Sequence, residues 1–201
     1  MITIIDYGMG NLGSIVNMFK RIGVKVHVSG DISAVNDAEK ILLPGVGAFD
    51  KAMIRINESG LREALDKKAL EDKVPILGIC LGMQLLTCGS EEGQEDGLGW
   101  IDARATKIPS IDGIKVPHMG WNLVLPSSSS SLTKDLPEEP RFYFVHSYAV
   151  HVKDKSDSIL TCKHGIEFDA AIQKSNIYGA QFHPEKSHKF GMQLLKNFAS
   201  L

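Results

Sequence analysis

Residues 75–86 read Pro-Ile-Leu-Gly-Ile-Cys-Leu-Gly-Met-Gln-Leu-Leu. The apolar run that ends at Ile79 is typical of a buried strand, and the leucines and the methionine after Cys80 are typical of a helix. A cysteine flanked at both second neighbours by glycine indicates a sharp strand-to-helix turn, because only small residues allow the backbone to approach so closely there. The segment predicts a strand, a tight turn and a helix that together present Cys80 as an accessible nucleophile.

The position of Cys80 at the start of a helix favours its thiolate, because unpaired amides and the helix dipole lie there. The amide of Leu81 is the expected donor to a developing oxyanion. A structural cysteine beside ordinary turn glycines is the competing interpretation. Cys88 and Cys162 lack this setting, and we interpret both as unreactive thiols. Three cysteines without a Cys-x-x-Cys pair fit neither a disulfide framework nor a structural zinc site, so no metal is expected.

Strand-like and helix-like patterns alternate in the first half of the chain, which predicts a doubly wound parallel sheet. After Gly97 strand-like runs dominate and predict an antiparallel excursion. The expected strands cover 3–5, 24–28, 40–43, 74–79, 115–125, 141–150, 158–162, 168–173 and 177–182. One helix should end at Gly23, and the last should begin with Ser187 as its N-cap. We expect one α/β domain over residues 1–201, with helices on both faces of a mainly parallel sheet.

Composition excludes several classes of function. With 43% hydrophobic residues the chain can bury a core, and a net charge of -2 gives no basic field for nucleic acid or an anionic membrane. The apolar runs are too short to span a bilayer, and the N-terminus lacks the pattern of a signal peptide. We therefore expect a cytoplasmic protein that binds neither nucleic acid nor membranes. The serine run at 127–131 is interpreted as an exposed loop.

A thiol nucleophile needs a base, and His183-Pro-Glu185 at the end of a predicted strand can supply one. Residues i and i+2 of an extended segment point the same way, so the Glu185 carboxylate can fix the tautomer of His183 and support its imidazolium form. Pro184 restricts the backbone between them. A solvated surface pair would explain His-x-Glu alone, but the cysteine turn makes the catalytic interpretation the stronger one. The other six histidines show no metal-ligand spacing.

Three blocks together closely resemble class I glutamine amidotransferases, the triad type of glutaminase. They are residues 44–47 (Pro-Gly-Val-Gly), 78–84 (Gly-Ile-Cys-Leu-Gly-Met-Gln) and 182–185 (Phe-His-Pro-Glu). Within that class, residues 6–11, 117–122 and 143–148 are similar to the glutaminase subunits of imidazole glycerol phosphate synthases. The resemblance covers nearly the whole chain and implies that fold, with L-glutamine as substrate and without a cofactor.

The resemblance also implies roles for individual residues. Cys80 would attack the carboxamide of glutamine, His183 would protonate the departing ammonia, and Glu185 would keep His183 aligned. The family's remaining roles fall on three groups: an oxyanion set of Leu81, Val46 and Gly47; a substrate-binding set of Gly45, Gln84, Ser147 and Tyr148; and a partner-interface set of Asn11, Trp121, Tyr143 and Lys186. The implied partner is a separate (β/α)8-barrel cyclase that forms a heterodimer with the chain and receives its ammonia for histidine biosynthesis. For the last two sets, ordinary packing or surface roles remain the alternative.

Three other functions stay open. A paralogous glutaminase could supply ammonia for surface-sugar biosynthesis, since the serine run and residues 187–190 are not required of the histidine-pathway subunit. Gly8-x-Gly10-x-x-Gly13 after the first strand, with Asp31 further on, matches a dinucleotide fingerprint, although that function would leave the triad without a purpose. A non-catalytic interaction subunit is the third, but such a chain would be expected to have lost part of the triad.

Overall fold

The computed structural model describes residues 1–201. Its strands are β1 (Ile2–Ile5), β2 (Val26–Ser29), β3 (Lys40–Leu43), β4 (Ile76–Ile79), β5 (Ala103–Lys107), β6 (His118–Pro126), β7 (Arg141–His146), β8 (Tyr148–Val152), β9 (Ser158–His164), β10 (Ile166–Lys174) and β11 (Ile177–Ala180). Its helices are α1 (Leu12–Arg21), α2 (Ile32–Asn36), α3 (Phe49–Glu58), α4 (Leu61–Asp66), α5 (Leu81–Leu85) and α6 (His188–Ser200). A wider π-helical turn, Lys67–Glu71, continues α4.

Nine strands form the central sheet in the order β2-β1-β3-β4-β11-β10-β9-β6-β7. The pairs from β2 to β11 are parallel, and those from β11 to β7 are antiparallel. The predicted α/β class is confirmed, and the antiparallel part takes up nearly half of the sheet. β4 lies between β3 and β11, so the turn at its carboxyl end sits inside the sheet and not at one of its edges.

Two features of the strands differ from the prediction. The expected strand at 141–150 breaks at Ser147 into β7 and β8, and β8 leaves the central sheet to pair with β5 in a separate two-stranded sheet. β5 was not predicted, because its sequence Ala-Arg-Ala-Thr-Lys offers only two small apolar residues. The break matters for the site, because Ser147 then lies at the junction of the two sheets.

Helices cover both faces of the central sheet, as predicted. Successive strand residues face opposite sides, so in β3 Leu42 packs with α1 and α6, whereas Ile41 and Leu43 pack with α3, α4 and α5. The buried residues Ile15 and Phe19 form the expected apolar face of α1. The parallel strands are buried on both sides, which is why they read as continuous apolar runs.

Two predicted local features make further contacts. Ser187 is the N-cap residue of α6, as predicted, but its side chain makes no capping hydrogen bond. Its hydroxyl instead donates to the His183 carbonyl at 2.6 Å and accepts from the Tyr143 amide at 3.0 Å. Residues 127–131 lie at the surface, as predicted, and the hydroxyl of Ser128 anchors them by donating to the Ser158 carbonyl at 2.6 Å. None of the helices has the length and apolar character needed to cross a membrane.

Candidate active site

The turn after β4 has the strained backbone that the glycine spacing predicts. Cys80 adopts φ 53° and ψ -107°, a left-handed conformation that non-glycine residues rarely adopt. A Cβ at Gly78 would lie 2.5 Å from the Gly82 carbonyl oxygen, and one at Gly82 would lie 2.0 Å from that of Leu43. Both positions therefore require glycine, because any larger residue would collide with backbone.

The Cys80 side chain lines a cavity of about 390 Å³. Only 7% of the residue is exposed, so it is more enclosed than the sequence indicated. Its sulfur lies 3.9 Å from the Val145 carbonyl and accepts a hydrogen bond from the side-chain amide of Gln181 at 3.7 Å. Because α5 has only five residues, its dipole is small. The amides of its first turn, Leu81 among them, therefore contribute more to stabilising negative charge at Cys80 than the dipole does.

His183 and Glu185 form the predicted pair. The Nδ1 atom of His183 lies 2.8 Å from Oε1 of Glu185, and each side chain is 3% exposed. Since a carboxylate can only accept, Nδ1 donates and Nε2 faces the reacting side; Nε2 is buried and has no hydrogen-bond partner. Burial alone would lower the pKa of His183, but the adjacent Cys80 sulfur and the Glu185 carboxylate raise it to about 9.

The loop at 44–47 packs directly on the cysteine turn. A Cβ at Gly45 would lie 2.7 Å from the Cβ of Leu81, so only glycine allows this approach. Val46 is 42% exposed and Gly47 has φ 114°, and both line the cavity opposite Cys80. The buried hydroxyl of Tyr7 donates to the Pro44 carbonyl and so anchors the start of this loop.

The glycine-rich segment after β1 supports the loop at 44–47. A Cβ at Gly10 would lie 3.4 Å from the Cβ of Pro44, and one at Gly47 would lie 2.5 Å from the Cε of Met9. In a dinucleotide fingerprint the third glycine permits close packing of helix on strand. At Gly13 the nearest atom to an added Cβ is 4.0 Å away, so the structure gives that glycine no such role.

Three of the four predicted substrate-binding residues, Gln84, Ser147 and Tyr148, line the cavity, whereas Gly45 packs against Leu81 outside its lining. The side-chain nitrogen Nε2 of Gln84 donates to the Tyr148 carbonyl and to Oε1 of Gln181, both at 3.2 Å. The side-chain oxygen Oε1 of Gln84 therefore stays available to accept a hydrogen bond from a ligand. The Ser147 carbonyl already accepts from the Ile108 amide at 2.9 Å. The cavity lining also includes Glu92, Pro117, Val145 and His146, to which the sequence assigned no role in the site.

Three of the four predicted interface residues form one patch. The ring of Trp121, 47% exposed, lies edge-on to Tyr143 at 6.3 Å and stacks on His188 at 5.4 Å. The Nζ of Lys186 lies 5.6 Å from the centre of the Tyr143 ring. The fourth residue, Asn11, is exposed and caps α1 by accepting from the Ser14 amide at 3.4 Å.

The sequence offered no signal for three buried polar residues around the site, namely His118, His146 and Gln181. Gln181 directly follows β11 on the way to His183, but a single glutamine in an apolar run carries no distinctive pattern. His118 and His146 alternate with apolar residues on β6 and β7, which is also the pattern of ordinary strand histidines. The structure shows no group of three or more metal-ligating side chains arranged to hold a metal ion.

Comparison with known proteins gives a consistent result. The family model described as glutamine amidotransferase class-I matches residues 3–200. The chain is 52% identical over 198 residues to the imidazole glycerol phosphate synthase subunit HisH 2 of Methanococcus maripaludis, covering 98% of each chain. It is 49% identical over 201 residues to the subunit of the same name in Pseudomonas aeruginosa, with full coverage of both. A crystal structure of a glutamine amidotransferase superposes with a TM-score of 0.76 at 14% identity, covering 100% of this chain and 99% of that one.

Proposed function

Because the chain belongs to the class I glutamine amidotransferase family, we propose that it is the glutaminase subunit of an imidazole glycerol phosphate synthase. It converts L-glutamine and water to glutamate and ammonia and passes the ammonia to a cyclase in histidine biosynthesis. Residues 1–201 act as one glutamine amidotransferase domain in the cytoplasm. The observation that carries the proposal is the buried His183–Glu185 pair, whose free Nε2 faces the cavity that Cys80 lines.

The triad performs acyl transfer in two stages. With its pKa raised to about 9, His183 holds a proton at neutral pH, which favours the thiolate of Cys80 beside it. The thiolate attacks the carboxamide carbon, and the carbon–nitrogen bond breaks as His183 donates its proton to the departing ammonia. His183 then takes a proton from water, which hydrolyses the glutamyl thioester. Glu185 keeps the ring in the required tautomer throughout.

Backbone donors stabilise the oxyanion in both stages. The Leu81 amide lies at the start of α5, and the Val46–Gly47 segment faces it across the cavity. The positive φ of Gly47 gives that peptide the freedom to reorient when the partner binds, so the isolated subunit is expected to be a weak glutaminase. Amides aimed at the developing negative charge contribute about 10²–10³-fold each in comparable enzymes.

The amino-acid head of glutamine would bind in the part of the cavity lined by Gln84, Ser147 and Tyr148, and Gly45 would contribute by letting the loop at 44–47 pack closely on Leu81. The free Oε1 of Gln84 can accept from the substrate ammonium group. The carboxylate of Glu92 lines the same cavity and adds a negative charge that favours a cation. The Ser147 and Tyr148 backbone at the junction of the two sheets completes this subsite.

The partner is a (β/α)8-barrel cyclase, and the chain forms a heterodimer with it. The Trp121–Tyr143–Lys186 patch suits such an interface, because large aromatic rings next to a cation are typical of interface hot spots. The Tyr143 backbone carbonyl also accepts from the His183 amide at 2.8 Å. A partner that docks at this patch is therefore connected to the catalytic base, His183, through one backbone hydrogen bond. Asn11, exposed at the start of α1, would extend the interface.

The test is ammonia release from glutamine by the purified chain, alone and with the histidine-pathway cyclase and its ribonucleotide substrate. Cys80→Ala serves as the blank, and Cys88→Ala controls for loss of an unrelated thiol. We expect release that rises strongly with the cyclase and disappears only in Cys80→Ala. If a cyclase-like partner from surface-sugar biosynthesis activates the chain and the histidine-pathway cyclase does not, the ammonia acceptor assigned here is wrong.

A further inference from the structure

A chain of buried hydrogen bonds connects β6 to the nucleophile. Nδ1 of His118 lies 2.9 Å from Nε2 of His146, and Nδ1 of His146 lies 2.8 Å from the Tyr148 carbonyl oxygen. The same oxygen accepts from Gln84, which also donates to Gln181, and Gln181 donates to the Cys80 sulfur. The triad mechanism uses neither histidine, although both are buried.

The direction of each bond follows from what the two ends can do. A carbonyl only accepts, so Nδ1 of His146 carries a proton, and Nε2 of the neutral ring must accept. His118 therefore donates from its own Nδ1. Its Nε2 accepts from the side-chain amide of Asn122 at 3.1 Å, and Asn122 is held in that orientation because its Oδ1 accepts from the Leu123 amide at 2.8 Å. The side-chain amide of Asn122 also donates to the Lys163 carbonyl at 3.0 Å, so both of its N–H groups are used.

Packing holds the His118 ring in place. It stacks on Phe144 at 4.6 Å and on His164 at 4.1 Å, and His164 is itself held by a 2.8 Å bond from Nε2 to the Lys115 carbonyl. Burial is the main cause that lowers the pKa of His118 to about 3 and that of His146 to about 4, so both rings are neutral near neutral pH. The rings therefore form a rigid, uncharged pair in which His146 lines the cavity and His118 lies behind it.

We propose that His118 and His146 are positioning residues for glutamine hydrolysis. The pair fixes the Tyr148 carbonyl and the Ser147 junction, and through that carbonyl it orients the Gln84–Gln181 amides against the Cys80 sulfur. Without the His118 donor, His146 can move its proton to Nε2, and its bare Nδ1 then faces the Tyr148 carbonyl as a second acceptor. The Tyr148 peptide would shift, and the substrate subsite and the amide that contacts Cys80 would shift with it. This inference rests on the glutaminase function proposed above.

The test compares two substitutions of His118 that differ in one donor. His118→Phe preserves the stacking but removes the donor, whereas His118→Asn places an amide N–H near the position of Nδ1. We expect His118→Phe to lower kcat/KM for glutamine about 5- to 30-fold, mainly by raising KM, and His118→Asn to recover most of that loss. His27→Asn, on the exposed edge strand β2, should match wild type. Equal kcat/KM for His118→Phe and wild type, or no recovery in a folded His118→Asn, would overturn the proposal.

A second readout reports on the nucleophile. In a Cys88→Ser background, iodoacetamide alkylates Cys80 more slowly in His118→Phe than in the unsubstituted chain, because the Gln181 donor no longer holds the thiolate. A purely structural role would lower the melting temperature without changing the alkylation rate of the folded protein. An unchanged rate would therefore contradict the link from His118 to Cys80. If the wild type itself releases no ammonia, the proposed function fails. The alkylation rate of Cys80 and the NMR spectra described below then still test whether His118 and His146 position the cavity.

The wild-type protein offers a direct measurement in case the substituted chains do not fold. Long-range nitrogen–proton NMR spectra distinguish the two neutral tautomers of each histidine ring. At neutral pH we expect His118 and His146 both to carry their proton on Nδ1. We also expect both signals to shift when glutamine is added to Cys80→Ala, which cannot turn it over. A proton on Nε2 of either ring, or no response to bound glutamine, would overturn the proposal.

Discussion

The Nδ1 atom of His183 lies 2.8 Å from Oε1 of Glu185 in a position where neither side chain is more than 3% exposed. Water therefore cannot replace the carboxylate as the acceptor of the Nδ1 proton. The opposite nitrogen of the ring has no partner, which leaves it free for the proton that moves between Cys80, ammonia and water. One buried hydrogen bond thus determines both the tautomer and the direction of the base.

Replacement of Glu185 by Gln should preserve the shape of the site and remove its charge. We expect kcat to fall about 10²–10⁴-fold, because an amide can donate to Nδ1 and stabilise the wrong tautomer. The pKa of His183 should also drop below its value of about 9, since one of the two groups that raise it is lost. Titration of the His183 ring proton by NMR measures this shift. An unchanged titration would mean that Glu185 does not control the base.

The raised pKa of His183 also predicts how stability depends on pH. His183 keeps its proton up to about pH 9 in the folded chain, whereas its ordinary pKa is 6.5, so this one group binds more protons in the folded state between these values. The resulting stability is complete below pH 6.5 and is lost as the pH rises through 9. Denaturant unfolding across this range should show a smaller alkaline loss for His183→Asn than for wild type. Parallel losses would contradict the assigned shift.

The cysteine turn can be tested with two glycines. Gly82→Ala places a Cβ 2.0 Å from the Leu43 carbonyl oxygen, so we expect a loss of at least about 3 kcal/mol in the free energy of unfolding. Gly13→Ala, in α1, has open space and should gain about 0.5–1 kcal/mol while activity is unchanged. Chemical denaturation of both variants provides the comparison. Tolerance of alanine at Gly82 would show that the turn is looser than described.

The anchor of the glycine loop can be tested at Tyr7. Tyr7→Phe removes the hydroxyl that donates to the Pro44 carbonyl, which should cost about 1–2 kcal/mol and lower kcat by loosening the loop beside Cys80. Tyr178→Phe is the matched control, because the only partner of that hydroxyl is Gln173 at 3.5 Å. Calorimetry and ammonia release measure the two effects. Equal behaviour of the two variants would remove the role assigned to Tyr7.

The sequence predicted those parts of the fold and site that depend on local pattern. The parallel strands are buried on both faces and so read as apolar runs, and the glycines at 78 and 82 mark a turn that no other residue fits. The antiparallel part was less clear: β5 has little apolar character, and the break at Ser147 depends on pairing with β5, which lies about 40 residues away in the chain.

The histidine and glutamine contacts could not be predicted for the same reason. His118 meets His146, and Gln84 meets Gln181, only because β6, β7, α5 and the segment after β11 converge in space. Each residue alone fits ordinary packing. Ser187 occupies the predicted N-cap position of α6, but its hydroxyl oxygen accepts from the Tyr143 amide instead of from a helix amide. Tertiary contacts therefore decided these positions.

The central claim is that Cys80 is the residue that forms the acyl bond with glutamine. The most direct measurement is mass spectrometry after reaction with a glutamine analogue that carries a chloroketone in place of the amide. We predict one adduct per chain, located on Cys80, blocked by excess glutamine, and absent in Cys80→Ser. An adduct on the exposed Cys88 with Cys80 unmodified, or labelling that glutamine does not block, would contradict the assignment of the nucleophile and of the cavity that holds it.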